Sequence, residues 1–336
     1  MTNEIDKMNK LNFLPVRIFE TTKMKRCAGK LKSVSDEFPE VLRVPLIKSS
    51  QGDIQVIKSG RRSAIYYDVN SDKYYRIKGC GLNDNGFEYK EIEVYTDDRK
   101  IQIKKILRGC QFEKNCKKEL EITIKLREIF QKKGLYFPNK SLGYWAYELG
   151  YVEKPCASLY ETTGELRLND DILYYLESKL WGNYSIFEDL HQLYYKIGLK
   201  IGEIKQLMTD AGYLWGTFFS DFDGIFHSNA HINNIIASRA GDELVLGPVD
   251  FDLAFFPGEL KDKEFEYKVE DEIRVLEASI KGWQVFDPPL KIFSDSENNH
   301  FKKLQIKLRT NLYKGFLNGM NIKNSIIKFS EISKFF

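Results

Sequence analysis

The pattern of apolar and polar positions predicts mostly extended segments early in the chain and mostly helices later. Residues 53–78 read as three strands, 53–56, 63–68 and 73–78, separated by a loop at 58–62 and a turn at 69–72. From 114 to 133, Ile122, Leu126, Ile129 and Phe130 recur at helical spacing, and Gly134 with Pro138 beyond it supplies a stop. Segments 141–151 and 155–161 are rich in aromatic and β-favouring residues and read as the last two strands of a small sheet. Helical spacing returns over 170–180 and 185–211, the second segment ending at Gly212 as at a C-terminal cap. Between Gly212 and His227 lies an aromatic link suited to packing under whatever the following loop builds. Ile235, Ile236 and Ala237, a turn at 239–242, and Leu244, Val245 and Leu246 make a short hairpin pattern. Charged helical sequence follows over 262–280, and 300–336 is basic and helical in pattern, packing through Leu304, Ile306, Leu308, Leu312 and Phe316. Residues 1–50 fit either an arm or an extra strand on the sheet. The fold class is α+β.

The hairpin has chemistry at its open end. Asn234 precedes its first strand and Asp250 follows its second, which places an amide carbonyl and a carboxylate on loops held by paired strands. Mg²⁺ takes one or two protein oxygens and completes its shell with water and phosphates, so this sparse pair suffices for a metal site. The plainer alternative is that Asn234 and Asp250 are turn residues of an unrelated α+β fold, since both types bond their own backbone in turns.

The loop His227-Ser228-Asn229-Ala230-His231-Ile232-Asn233-Asn234, with Asp250-Phe251-Asp252 after it, resembles the catalytic segment of the protein-kinase-like superfamily. The likeness is to the aminoglycoside and choline phosphotransferase branch, whose loop reads His-Gly-Asp-x-His-x-x-Asn and whose later Asp-x-Asp holds metal. His227, His231, Asn234, Asp250 and Asp252 match; Ser228 replaces Gly, and Asn229 replaces the proton-accepting Asp. The resemblance implies Mg²⁺ ligation by Asn234 and Asp250. It leaves the base position at Asn229 without a base, with Asp221, Asp223 or Asp252 as substitutes. Tyr74-Tyr75-Arg76-Ile77-Lys78-Gly79-Cys80-Gly81 is similar to the Leu-Lys-Gly-x-Gly run of selenoprotein O, a kinase-like family that lacks the usual base and transfers AMP.

The resemblance implies a bilobal fold: residues 1–50 as an N-terminal extension, 51–160 as a small β-rich lobe and 161–336 as a larger helical lobe. Lys78 would contact ATP phosphates and pair with a Glu of the 114–133 helix. Glu119, three residues before Ile122 and seven before Leu126, shares the apolar face; Glu121 lies on the flank and is the second choice. Gly60 and Arg61, within Ser59-Gly60-Arg61-Arg62-Ser63, would meet phosphates through backbone amides and guanidinium. Leu159, Tyr160 and Glu161 would be the hinge between lobes. The function implied is ATP-dependent phosphoryl transfer with Mg²⁺ to an unknown small-molecule or protein acceptor. AMP transfer and a nucleotide-binding pseudokinase are the alternatives.

Composition sets limits. The chain has 336 residues, 43% of them hydrophobic, enough for a two-lobed unit. A net charge of +3 from 51 basic and 48 acidic residues does not make a nucleic-acid binder. Neither a membrane span nor a signal-peptide apolar core is legible, so a cytoplasmic location is expected. Five scattered cysteines without a Cys-x-x-Cys pair argue against zinc or a disulfide framework.

Overall fold

The computed structural model describes residues 29–33, 54–59, 63–68, 73–79, 88–95, 101–108, 111–147, 155–162, 166–220, 225–282, 294–321, 327–328 and 331. In chain order the strands begin with β1 (Gly29–Ser33), β2 (Ile54–Ser59), β3 (Ser63–Asp68), β4 (Lys73–Lys78), β5 (Glu88–Tyr95), β6 (Ile101–Arg108) and β7 (Gln111–Phe112). Helix α1 (Glu113–Lys132) is followed by β8 (Asn139–Tyr147), β9 (Pro155–Thr162) and β10 (Leu166–Arg167). A π-helical stretch (Leu168–Leu173) then runs into α2 (Tyr174–Ser178), and a 3₁₀ turn leads into α3 (Phe187–Asp210). Next come β11 (Thr217–Ser220), β12 (Ile225–Ser228), β13 (Ile235–Ala240), β14 (Glu243–Pro248), α4 (Asp262–Lys281) and α5 (Asp295–Gly319).

Among the described residues the main sheet is seven-stranded, in the order β1-β8-β9-β4-β3-β2, with β7 on β9. All of its neighbours are antiparallel. The 1–50 segment therefore contributes a strand, Gly29 opposite Tyr147 and Ser33 opposite Gly143. Helix α1 serves two cores at once. Its first half packs Cys116 and Leu120 with Tyr144, Cys156 and Tyr160 of the sheet. Its second half gives Ile122, Leu126 and Phe130 to a larger core with α2, α3, α5 and the β13–β14 hairpin. A helix tied to both cores fixes where its one buried carboxylate, Glu119, stands.

The helical core is closed by α3 crossing α5 on glycine. A Cβ on Gly198 would lie 2.8 Å from the Phe316 nitrogen, and one on Gly202 would lie 2.7 Å from the Met320 nitrogen. Gly315 and Gly319 of α5 face Tyr195 and Leu199 just as closely, so the two backbones touch. Helix α3 stops at Gly212, φ 76°, where the Tyr213 amide returns to the Met208 carbonyl at 2.9 Å. Helix α5 starts from a capping box: Ser294 accepts from the Glu297 amide while the Glu297 carboxylate accepts from the Ser294 amide. Among the described residues no helix is long and apolar enough to cross a membrane.

Several segments differ from, or add to, the sequence expectation. Leu159, Tyr160 and Glu161 are not a connecting hinge; they lie inside β9, with Leu159 and Tyr160 buried between neighbouring strands. Residues 170–180 are only partly α-helical, because the segment opens as a π-helix at Leu168. In the segment expected to be helical over 300–336, helix α5 starts at Asp295 and ends at Gly319, and Ile327 and Lys328 beyond it are not helical. The aromatic link before the loop folds as the β11–β12 hairpin, Thr217 opposite Ser228.

Candidate active site

Strand β4 ends on Lys78, buried at 3% exposure. Its ammonium reaches both oxygens of Glu119, 2.9 and 3.0 Å away. It also donates to Asp250 Oδ1 and lies 3.6 Å from Asp252 Oδ2. Glu119 is further fixed by the Gln111 amide, whose own carbonyl accepts from Ser158 Oγ at 2.5 Å. Glu121, the second choice in sequence, is exposed. Burial raises the Glu119 carboxyl above its usual range, while Lys78 opposes that shift and Asp252 and Asp250 add to it.

The loop side is assembled by backbone bonds. The Val249 amide donates to the Asn234 carbonyl at 2.9 Å, tying together the two ends of the β13–β14 hairpin. Asp250 follows at φ 70°, a left-handed conformation that Asp tolerates better than most side chains. Asn229 donates its backbone N–H to the Gly216 carbonyl at 3.0 Å and its side-chain Nδ2 to Asp252 Oδ1 at 2.6 Å. Asn234 donates Nδ2 to the Asn229 carbonyl at 3.0 Å. Its Oδ1 accepts from Arg167, 3.0 Å away, which also bonds the Asn233 carbonyl at 2.7 Å. His231 Nε2 lies 3.3 Å from Asn234 Nδ2. Because an amide nitrogen only donates, Nε2 is the accepting nitrogen. Burial pushes the imidazole below its ordinary range, with Asp250 opposing and Arg167 reinforcing.

Beneath the loop is a strut absent from the sequence reading. Lys205 of α3 and Glu272 of α4, both 0% exposed, pair at 2.6 Å. The second Glu272 oxygen accepts from the Gly216 N–H at 2.6 Å. Gly216 thus links the buried ion pair to Asn229.

The structure brings Lys78, Glu119, Asn229, Asp250 and Asp252 together, with Asn234 bonded to Asn229. Gly60 and Arg61 lie outside the described residues, as do the substitute bases Asp221 and Asp223. Arg167, Gln111, Lys205 and Glu272 were missed, and no local sequence signal marks them.

The donor set fits a hard divalent cation. One ligand oxygen each from Glu119, Asp250 and Asp252 lies within 4.8 Å of the others. With all three ionised against Lys78, a formal charge of about −2 remains, matching one divalent ion. Asn234 Oδ1 has a second lone pair beyond the one Arg167 uses.

No protein-family model matches the chain, and no curated protein matches it. Solved structures do. One titled "WaaP in complex with acyl carrier protein" overlaps 85% of this chain and 89% of its own, at 12% identity and a TM-score of 0.35. A glucosamine kinase in complex with glucosamine, ADP and inorganic phosphate overlaps 80% of this chain and 84% of its own, at 10% identity and a TM-score of 0.35.

Proposed function

We propose that the chain is an ATP-dependent phosphotransferase of bilobal kinase-like fold, with the main sheet through β9 in the small lobe, the helical remainder as the large lobe and 1–50 as an extension. The observation that carries the reading is the position of Lys78, which meets Glu119 of α1 and Asp250 of the loop at one point. Phosphoryl transfer asks a protein mainly for position and charge, and this set supplies both. Lys78 would leave Asp250 to hold phosphate oxygens while Glu119 keeps it in place. Asp250 and Asn234 would hold Mg²⁺, with Asp252 beside them. Mg²⁺, when bound, shields phosphate charge and keeps the phosphate oxygens in register. The acceptor hydroxyl oxygen then bonds to the γ-phosphorus as the bond to the bridging oxygen breaks. ADP leaves, and the hydroxyl proton passes to solvent.

AMP transfer is the second reading, and Asn229 favours it. No carboxylate base stands at the loop position, and Asp252 has one oxygen on Asn229 and the other towards Lys78. In this route the acceptor bonds to the α-phosphorus and pyrophosphate leaves. Incubation with Mg²⁺ and ATP labelled at the γ- or α-phosphate, beside Asp250→Ala, separates the two. Transfer of γ label supports phosphoryl transfer, and transfer of α label supports AMP transfer. A nucleotide-dependent rise in melting temperature without transfer supports a binding pseudokinase. The absence of both transfer and a rise removes the nucleotide reading.

A further inference from the structure

Asn229 stands where the resemblance carries a proton acceptor, and its surroundings are built for a neutral donor. Its backbone is held from both ends: the N–H by the Gly216 carbonyl at 3.0 Å, the carbonyl by the His231 N–H at 2.9 Å and by Asn234 Nδ2 at 3.0 Å. The side chain, on a residue only 9% exposed, donates Nδ2 to Asp252 Oδ1 at 2.6 Å. An ionised carboxylate only accepts, so the atom facing it is the amide nitrogen. That bond leaves Asp252 Oδ2 turned towards Lys78, 3.6 Å away, and keeps Asp252 in reach of Asp250 and Glu119.

We propose that Asn229 is a positioning residue whose amide holds Asp252 beside Asp250 on the cation-binding side of the site. The loop carries Asn because an Asp there would oppose Asp252. This rests on reading the site as a Mg-nucleotide centre. Two ionised carboxylates at hydrogen-bond distance repel each other and cannot bond, since each only accepts. An Asp at 229 would therefore push Asp252 away from the place beside Asp250 where the amide holds it. The neutral amide makes the same bond and adds no charge to a group already carrying three carboxylates against one ammonium. The Lys205–Glu272–Gly216 strut holds the donor still, so Asp252 is aimed from a fixed point.

The test uses the full chain as wild type, Asn229→Asp, Asn229→Ala and the exchange variant Asn229→Asp/Asp252→Asn. Melting temperature is read in EDTA at about pH 8, where carboxylates are ionised, and then against Mg²⁺ alone. Asn229→Asp is expected to melt lower than wild type in EDTA, and the exchange variant to recover, because amide and carboxylate face each other again. Asn229→Ala is expected to raise the Mg²⁺ concentration for half-maximal stabilisation about 10- to 100-fold, the usual loss when a ligand's supporting partner is removed. The exchange variant is expected to keep that Mg²⁺ defect while regaining its melting temperature, a split that a merely structural contact does not produce. Asn229→Asp melting like wild type in EDTA would overturn the proposal. So would faster label transfer by Asn229→Asp, or a wild-type melting temperature indifferent to Mg²⁺. The EDTA measurements contain no ATP, so wild type that binds Mg²⁺ but never transfers label counts against the proposed function and not against this role.

Discussion

Replacing Glu272 by Ala removes the acceptor for two buried donors at once. Lys205, 0% exposed, loses its partner at 2.6 Å, and the Gly216 N–H loses the other oxygen at 2.6 Å. Breaking a buried pair from one side costs about 3–5 kcal/mol, because a charge is left in the interior. Over 336 residues, an unfolding entropy of about 2.1 cal/mol/K per residue gives roughly 0.7 kcal/mol/K, so the melting temperature should fall by about 4–7 °C. Calorimetry on Glu272→Ala, Lys205→Met/Glu272→Gln and Lys205→Met/Glu272→Leu checks the reasoning. The Met/Gln pair keeps an amide oxygen for Gly216 and removes both charges, so it should regain most of the loss. The Met/Leu pair repacks the charges but leaves the Gly216 N–H bare. Its label transfer should fall further than its melting temperature does, since Gly216 anchors Asn229. A fall below about 1 kcal/mol for Glu272→Ala, or a Met/Gln pair no more stable than Glu272→Ala, would refute the account of the strut.

Lys78→Ala should lower label transfer about 10²- to 10³-fold, the usual cost of losing one charge-stabilising donor, and single-turnover transfer from labelled ATP measures it. Glu177 is buried between Gln305 and Arg309, and burial lifts its carboxyl above 4.5 despite Arg309. The folded chain thus holds that proton above the pH at which the unfolded chain releases it. Stability from this group is full below about pH 4.5 and is lost as pH rises through the folded value. The melting temperature of Glu177→Gln relative to wild type should therefore climb from acid towards neutral pH; a relative decline would contradict the assignment. Gly198→Ala drives a methyl into the Leu312 carbonyl and to 2.8 Å from the Phe316 nitrogen, both backbone atoms, so denaturant unfolding should show a loss of about 3 kcal/mol or more.

Much of the frame was legible because its signals are local. The turn at 239–242 between two apolar runs identifies the β13–β14 hairpin, and β3 and β4 match the predicted 63–68 and 73–78. Helical phase alone separates Glu119, buried at 3%, from exposed Glu121. What stayed hidden depends on distant partners. Lys205 and Glu272 look like ordinary charges on helical segments, and 67 positions separate them; only the tertiary fold brings the two side chains together. Arg167 sits in a two-residue strand too short to carry a pattern, yet it holds Asn234. The β5–β6 pairing, Glu88 opposite Arg108, falls in a charged stretch to which the sequence reading assigns no element. The misplaced hinge at 159–161 has a similar origin: nothing in Leu-Tyr-Glu tells the end of a strand from its middle, and β9 continues to Thr162.

The glycine crossing of α3 and α5 has a mechanical consequence. Helices that meet through side chains can slide as rotamers change, which is how packed helices shear. Gly198, Gly202, Gly315 and Gly319 offer no rotamers, so the pair resists shear and carries load as one stiff member. Lys205 lies on the same α3, so the strut ending at Asn229 is rooted in that member. At the other end of the site, Lys78 meets carboxylates of both α1 and the loop. The loop that faces Lys78 is therefore seated, through this strut, on a helix contact in which no side chain can give way.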